Sequence, residues 1–287
     1  MRTKLMLVIG LVASLGMVNA EARDAFAETK IESQRLNDSV YMLTGMGGNI
    51  GVSAGDDGIL IIDDQFAPLA DKIAKAIGNI SSNKMKYVVN THYHGDHTGS
   101  NAYFSEIQDT TIFAHHNVRT RLQADKEVKP AALPVVTFAE GITLHFNGET
   151  IKVTHLPAGH TDSDSVIWFE KANVLHAGDL FFQGRFPYID LDGGGTVDGY
   201  IKNVRSLIAM LNEDTQIIPG HGKLATKADY QSALDMIVET AAYIKTKKDQ
   251  GVSLGDLISS GLDDKWKAWS WQFINEEKWI STLYNGQ

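Results

Sequence analysis

Residues 90–99 read N-T-H-Y-H-G-D-H-T-G, and this stretch decides how the rest of the chain is interpreted. It places three of the ten histidines and one aspartate within six positions, at His92, His94, Asp96 and His97. The apolar run before it is predicted to be a buried strand, so the loop would carry these side chains to the edge of a sheet. His92 and His94 can then face one metal ion, while Asp96 and His97 point to a second position nearby.

Three further ligand candidates lie in glycine-bearing turns that follow predicted strands, namely His160, Asp179 and His221. The chain contains no cysteine, so its metal ligands must be histidines and carboxylates, a set that favours zinc and related divalent ions. Gly95 is expected to provide a sharp turn between the two halves of the opening motif. The sequence therefore predicts that the candidates meet at one edge of a sheet.

Four motifs follow one another along the chain: H-x-H-x-D-H, then G-H-T, then G-D, then P-G-H-G. In this order they resemble the metallo-β-lactamase superfamily of hydrolases, over a segment from about Val40 to Gly222. The resemblance implies an α/β fold, the αβ/βα four-layer sandwich in which two central sheets are covered by helices. It also implies a dinuclear metal site at the edge of the sheets.

The same resemblance implies a role for each candidate. The first ion would be bound by His92, His94 and His160, the second by Asp96, His97 and His221, and both by a bridging Asp179. The ions would be zinc, with iron or manganese as alternatives, and a metal-bound hydroxide would attack the substrate. Asp96 would also orient this nucleophile and carry its proton to the leaving group. Asp63, at the end of a predicted strand, would orient a ligand histidine.

The remaining pattern indicates mixed strands and helices, followed by a helical end with its longest helix at 230–247. The predicted organisation is a signal peptide at 1–20, a metallo-β-lactamase-like domain at 21–226, and a C-terminal helical segment at 227–287 that packs on the same domain.

Residues 1–20 show the three regions of a secretory signal: Arg2 and Lys4, an apolar run, and the small-residue site Val18-Asn19-Ala20. The apolar run is short for a membrane span, so cleavage is expected, with an uncleaved membrane anchor as the alternative. The sequence therefore predicts export to the periplasm, with no stable membrane insertion after cleavage.

The net formal charge is −9, and it becomes −11 once the two positive charges of residues 1–20 are removed. Phosphate backbones would be repelled by this balance, so nucleic acid is not an expected partner. The expected partner is a small-molecule substrate. Arg185 and Tyr188 are candidates for its pocket, and a surface loop is the alternative interpretation of both.

Other histidines and tryptophans are expected to be structural. The histidines without partner motifs are His115, His116, His145, His155 and His176. The tryptophans Trp266, Trp269, Trp271 and Trp279 are expected to anchor a terminal helix, with an aromatic platform for the substrate as the alternative.

Two departures separate the chain from the β-lactam-hydrolysing members that it resembles. Asp179 stands where those members carry cysteine or serine, and Phe182 stands where a lysine is expected. A bridging aspartate with His221 resembles instead the glyoxalase II, lactonase and RNase Z branches. The predicted function is an exported dinuclear zinc hydrolase, β-lactamase-like, that acts on a small ester, lactone or amide, β-lactams included. The alternatives are a glyoxalase II-like thioester hydrolase, a mono-iron persulfide dioxygenase and a non-catalytic metal-dependent binding protein.

Overall fold

Two β-sheets form the centre of the molecule. The computed structural model describes residues 25–286, so the predicted signal peptide at 1–20 lies outside it. The first sheet contains, side by side, β1 (Glu32–Arg35), β2 (Val40–Thr44), β3 (Ile50–Gly55), β4 (Gly58–Ile62), β5 (Met85–Val89), β6 (Thr111–His115) and β7 (Val136–Phe138). The second contains β8 (Gly141–Phe146), β9 (Glu149–His155), β10 (Ser165–Phe169), β11 (Val174–Phe182) and β12 (Gln216–His221). The first sheet begins with antiparallel pairs and ends with parallel ones, and the second is antiparallel except for its last pair, β11 with β12.

Helices provide the crossovers that parallel strands require. Those of the first half are α1 (Ala70–Ile80), α2 (Gly95–Thr98), α3 (Asn101–Gln108) and α4 (His116–Ala124). The second half has α5 (Val197–Met210), α6 (Lys227–Asp249), α7 (Leu254–Ser260), a 3₁₀ helix (Asp264–Trp269) and α8 (Glu276–Asn285). Within residues 25–286, none of the helices is both long and apolar enough to cross a bilayer.

Strand β4 shows why the central strands are apolar at successive positions. Leu60 and Ile62 pack between the two sheets, whereas Ile59 and Ile61 pack against the helices on the outer face of the first sheet. Side chains alternate between the two faces of a strand, so a strand that is covered on both sides needs an apolar residue at every position. Each such side chain contributes roughly 1.5–3 kcal/mol by its burial.

In the described part of the chain, the three largest of the four hydrophobic clusters lie between four layers. One core lies between the sheets and includes Phe169 and Ile218. A second joins the first sheet to α1 through Ile73. A third joins the second sheet to α5 and α6, through Tyr200 and Ile237. The molecule is therefore an αβ/βα four-layer sandwich, and the predicted fold class is confirmed.

The helical end of the chain packs on the outer face of the second sheet through Trp279. Its side chain is fully buried in the third core, and its Nε1 donates a hydrogen bond to Thr240 Oγ1 at 3.1 Å. The ring also stacks on Phe186, with 5.7 Å between centroids. Trp279 thus anchors α8, as the sequence suggests for the tryptophans of this segment.

Two strands extend beyond their predicted ends. The pattern predicts turns after His176 and Ile218, but β11 continues to Phe182 and β12 to His221. Gly178 adopts a φ of +51° at a bulge, and the parallel pairing resumes beyond it with Phe182 opposite His221. Asp179 and His221 are therefore strand residues, held beside each other by β11 and β12, whose pairing is interrupted on both sides of Gly178.

Candidate metal centre

Four side chains converge to form a first set of ligand atoms: His92 Nε2, His94 Nδ1, His160 Nε2 and Asp179 Oδ2. His94 Nδ1 lies 3.1 Å from His92 Nε2 and 2.9 Å from His160 Nε2. Asp179 Oδ2 lies 3.4 Å from His160 Nε2 and 3.8 Å from His92 Nε2. The loop after β5, the loop after β9 and strand β11 together supply this set.

A second set adjoins the first and consists of Asp96 Oδ2, His97 Nε2 and His221 Nε2. His221 Nε2 lies 3.3 Å from Asp96 Oδ2, and His97 Nε2 lies 3.7 Å from the same oxygen. Asp179 Oδ1 lies 3.1 Å from His97 Nε2 and 3.4 Å from His221 Nε2. Asp179 therefore presents one carboxylate oxygen to each set, and all seven predicted ligands are brought together.

The turn between the two halves of the opening motif does not depend on Gly95. The backbone is extended at His94, with φ −64° and ψ 147°, and Gly95 begins α2 in a helical conformation. A Cβ at Gly95 would meet no atom within 4 Å. The expectation of a glycine-dependent turn at Gly95 is wrong, because any residue can adopt the conformation that changes direction here.

Asp63 fixes the orientation of His97, one of the candidate ligand histidines. Its Oδ2 accepts hydrogen bonds from His97 Nδ1 and from Thr91 Oγ1, both at 2.7 Å. Its Oδ1 accepts a bond from the Thr91 backbone N–H, also at 2.7 Å. Thr91 Oγ1 lies 3.0 Å from His92 Nδ1, so the same carboxylate orients His92 through Thr91. In both rings Nε2 is left to face the ligand set.

Asp190 performs the same task for His94, and the sequence analysis missed it. Its Oδ2 lies 2.9 Å from His94 Nε2 and accepts a hydrogen bond from the Tyr93 hydroxyl at 2.5 Å. This contact turns His94 Nδ1 toward the ligand set. His160 is held by the Tyr188 backbone carbonyl, which accepts from its Nδ1 at 2.7 Å. Asp190 lies in an Asp- and Gly-rich loop with no motif, so no local signal marks it.

Burial and neighbouring charges set the ionisation of the ligands. Burial lowers the pKa of His92 well below its usual value and that of His160 to about 4. Both rings are therefore neutral near pH 7, the form in which imidazole binds a metal. Burial alone would raise the pKa of Asp179, but His97 and His221 hold it well below its usual range. The carboxylate thus stays ionised.

The donor atoms fit divalent metal ions. A tetrahedral site with bonds of about 2.0–2.1 Å places its donors roughly 3.3 Å apart, and the separations here range from 2.9 to 3.8 Å. His97 Nε2 and Asp179 Oδ1 are buried without a hydrogen-bond partner among the described residues. Such unpaired buried atoms are costly, and a cation between them would satisfy both.

Two glycines permit the backbone to approach the ligands closely. A Cβ at Gly48 would overlap the His97 ring, and a Cβ at Gly220 would overlap Asp179 Oδ1. Any larger residue at either position would displace a ligand.

Comparison with known proteins assigns the family. Residues 43–221, more than half of the chain, match the family model described as the metallo-beta-lactamase superfamily. The chain belongs to that superfamily. The predicted family is thus confirmed, and its known members include metal-dependent hydrolases that act on small molecules.

Individual relatives are distant. The chain is 32% identical over 162 residues to an uncharacterized protein of Aquifex aeolicus, covering 53% of this chain and 74% of the relative. It is 25% identical over 244 residues to a metallo-beta-lactamase type 2 of Elizabethkingia meningoseptica, covering 80% and 93%. Its fold is similar to that of a metallo-beta-lactamase from Pontibacter korlensis, with a TM-score of 0.63, 17% identity, and coverage of 72% and 99%.

A cavity of about 560 Å³ opens over both ligand sets of this superfamily member. Arg185 and Tyr188 line it, as does Phe182, the residue that replaces the lysine expected three positions after Asp179. Trp271 and Phe273 from the C-terminal segment complete the wall. Trp271 thus lines the cavity, and the alternative for this tryptophan, an aromatic platform for the substrate, stays a prediction.

Arg185 is the cation of this cavity wall. Its guanidinium lies 4.9 Å from the centroid of the Trp271 ring. Within the described part of the chain, no carboxylate lies within 4.0 Å of this guanidinium. Burial lowers the pKa of Arg185, but an arginine remains charged at neutral pH. A half-buried cation without an internal counter-ion is suited to bind an anionic group of a substrate.

The other histidines have local roles outside the ligand sets. His176 is buried and lies 3.1 Å from the Asn49 carbonyl through its Nε2, and His116 Nδ1 lies 2.8 Å from Thr137 Oγ1. His115 and His155 stack with 3.6 Å between centroids and 5° between planes. His145 is exposed on β8.

Proposed function

We propose that this protein is an exported dinuclear zinc hydrolase that opens or cleaves a small ester, lactone or amide, β-lactams included. The observation that carries this proposal is the shared carboxylate Asp179, which joins six other side chains into two adjoining ligand sets under one cavity. His92, His94 and His160 would hold one ion, Asp96, His97 and His221 the other, and Asp179 both. When bound, such ions supply Lewis acidity and make hydroxide available near neutral pH.

Asp96 is the residue best placed to move a proton. Its side chain is 23% exposed and borders the cavity, whereas the Asp179 carboxylate is almost fully buried. Burial would raise the pKa of Asp96, but His97 and His221 lower it, so the carboxylate is ionised at neutral pH. It can therefore accept a proton from an attacking water and pass it to the leaving group.

Arg185 is proposed to bind an anionic group of the substrate and so orient the scissile carbonyl. Phe182 cannot do this, because a phenyl ring has no positive charge; its ring instead stacks on His221, with 5.0 Å between centroids and 16° between planes. Two observations keep β-lactams among the substrates to be tested: the cation near the ligands, and the name of the Elizabethkingia meningoseptica relative. The aspartate at position 179, which resembles that of the lactonase branch, keeps lactones among these substrates as well.

The test is an activity panel on the chain from residue 21 onward, with metal content measured on the same sample. The panel contains an ester, a thioester, a lactone, a β-lactam and a phosphodiester. We expect two zinc ions per chain and turnover of at least one carbonyl substrate. His221→Ala should lower that turnover by on the order of 10²-fold or more, whereas His145→Ala, an exposed histidine on β8, should leave it unchanged.

Each alternative has its own result in this panel. Preferred turnover of the thioester would indicate a glyoxalase II-like enzyme. A single iron per chain with oxygen consumption would indicate the persulfide dioxygenase. Two metal ions without turnover of any probe would indicate a binding protein and would contradict the hydrolase proposal.

Export to the periplasm is proposed from the signal-like pattern of residues 1–20. Expression of the full chain with a C-terminal tag, followed by fractionation and N-terminal sequencing, tests it. A periplasmic product that begins at Glu21 is expected. A cytoplasmic product that retains Met1 would contradict the proposal.

A further inference from the structure

Four aromatic rings, Phe182, Trp271, Phe273 and Tyr188, form a continuous wall of the cavity, here called the aromatic arc. Its ends stack on the ligands: Phe182 on His221, and Tyr188 on His94 with 5.6 Å between centroids and 29° between planes. The centroid of the Trp271 ring lies 6.1 Å from that of Phe182 and 5.6 Å from that of Phe273. The centroids of Phe273 and Tyr188 are 5.3 Å apart. The arc therefore runs from a ligand of the second set to a ligand of the first.

The middle of the arc is held in place by hydrogen bonds. Trp271 Nε1 donates to the Phe186 carbonyl at 2.9 Å, and the Phe186 N–H donates to the Trp269 carbonyl at 2.8 Å. The Trp271 N–H donates to the Ile274 carbonyl at 3.1 Å. The wall is thus fixed before any ligand enters, which lowers the entropic cost of binding.

Phe273 is apolar yet 50% exposed at the rim of the cavity. A large exposed apolar side chain that continues a cavity wall is typical of a binding surface. Trp271 and Phe273 lie outside residues 43–221, the part that matches the superfamily model. This half of the wall therefore comes from outside the part of the chain that matches the family model.

We propose that the aromatic arc and Arg185 together select substrates that carry a planar aromatic ring and a carboxylate. Aromatic rings favour offset-stacked and edge-to-face partners, and such partners add affinity beyond the area that they bury. The guanidinium lies against the Trp271 ring, so one group binds the carboxylate while neighbouring rings contact the aromatic ring. The selection of a substrate rests on the hydrolase proposal, but the binding preference can be measured without it.

The test measures equilibrium binding of three carboxylates to the chain from residue 21 onward, by calorimetry, with zinc and after chelation. The three are 3-phenylpropionate, 3-cyclohexylpropionate and butyrate, because the cyclohexyl compound matches the phenyl compound in apolar size but is not planar. We expect the phenyl compound to bind roughly three- to tenfold more tightly than the cyclohexyl compound, in both metal states. Trp271→Ala and Phe273→Ala should each remove most of this preference.

Two further variants separate the parts of the proposal. Trp266→Ala changes a tryptophan of the same C-terminal segment that does not line the cavity, and it should retain the preference. Arg185→Gln should weaken the binding of all three carboxylates by roughly tenfold and leave the order of their affinities unchanged. Phe273 is half exposed, so Phe273→Ala should fold even if Trp271→Ala does not. The role of the aromatic arc can then still be tested.

The proposal is overturned if none of the three compounds binds, if phenyl and cyclohexyl bind equally, or if the preference persists in Phe273→Ala. If the chain binds the phenyl compound more tightly than the cyclohexyl compound but turns over no substrate of the activity panel, the hydrolase proposal is refuted. The aromatic arc would then be a recognition surface. A chain with turnover but without the preference would refute the aromatic arc alone.

Discussion

Asp63→Asn is the substitution that most directly tests how the ligands are held. It removes one charge without a change in shape, and asparagine tolerates the φ of +63° that Asp63 adopts. The carboxylate accepts three hydrogen bonds, from His97 Nδ1, Thr91 Oγ1 and the Thr91 N–H. An amide has only one acceptor oxygen, so at least one of these donors would face an NH₂ group.

In Asp63→Asn, the chain is expected to lose affinity mainly for the second metal ion. The contact between Asp63 and His97 is 2.7 Å long, and both side chains are fully buried. A charge-assisted hydrogen bond contributes about 1.5–3 kcal/mol, and loss of such a partner typically weakens metal binding about 10- to 100-fold. Because His97 belongs to the second set, the affinity for the second ion should fall by this factor, and that for the first ion by less.

The assay is a zinc titration of the metal-free chain against a chromophoric chelator, which resolves two dissociation constants. Asp64→Asn is the matched control, because Asp64 is equally buried and accepts from the Ser100 N–H at 2.9 Å but does not orient a ligand ring. Thr91→Val removes the hydroxyl between Asp63 and His92. It should therefore lower the affinity for the first ion, because His92 belongs to the first set. Unchanged constants in Asp63→Asn, or an equal loss in Asp64→Asn, would refute the orienting role.

Three further outcomes are expected. Asp179→Ala should lose metal from both positions and His221→Ala mainly from one, as measured by elemental analysis; full retention in Asp179→Ala would exclude a shared ligand. The pKa of His115 is about 4, lowered by burial and then by His155, against about 6.5 when unfolded. The unfolded chain therefore binds more protons between pH 6.5 and 4, so the free energy of unfolding should fall as pH falls through this window. In His115→Asn this fall should be smaller by on the order of 1 kcal/mol in urea denaturation of metal-free protein, and an unchanged pH dependence would contradict the assignment. Trp279→Ala should lower the free energy of unfolding by about 3–5 kcal/mol, and a loss below about 1 kcal/mol would show that this side chain does not anchor α8.

The metal ligands could be predicted because each lies in a short motif with a chemical meaning of its own. His92, His94, Asp96 and His97 are adjacent in sequence, and His160 and His221 follow glycines. Asp190 could not be predicted, because its partner His94 lies 96 positions away and contact between them is created only by the fold. The same holds for Trp271, whose role depends on where the C-terminal segment returns to the cavity.

The strands were predictable where burial leaves a pattern. Strand β4 is apolar throughout because it is covered on both faces. Strand β1 is exposed at all four positions, so it has no hydrophobic periodicity, and β7 has only three residues. The stretch Ala177-Gly178-Asp179 indicates a turn by composition, yet pairing with β12 holds it in β11. Long-range pairing prevailed over local propensity there.

The position of the aromatic arc in the chain bears on how specificity diverges. Trp271 and Phe273 lie on a segment whose nearest metal ligand in sequence, His221, is 50 residues earlier. Changes in that segment alter the lining of the cavity without touching a candidate ligand, whereas a Cβ at Gly48 or Gly220 would overlap one. The proposed specificity of the cavity and the geometry of the candidate ligands can therefore vary independently in evolution.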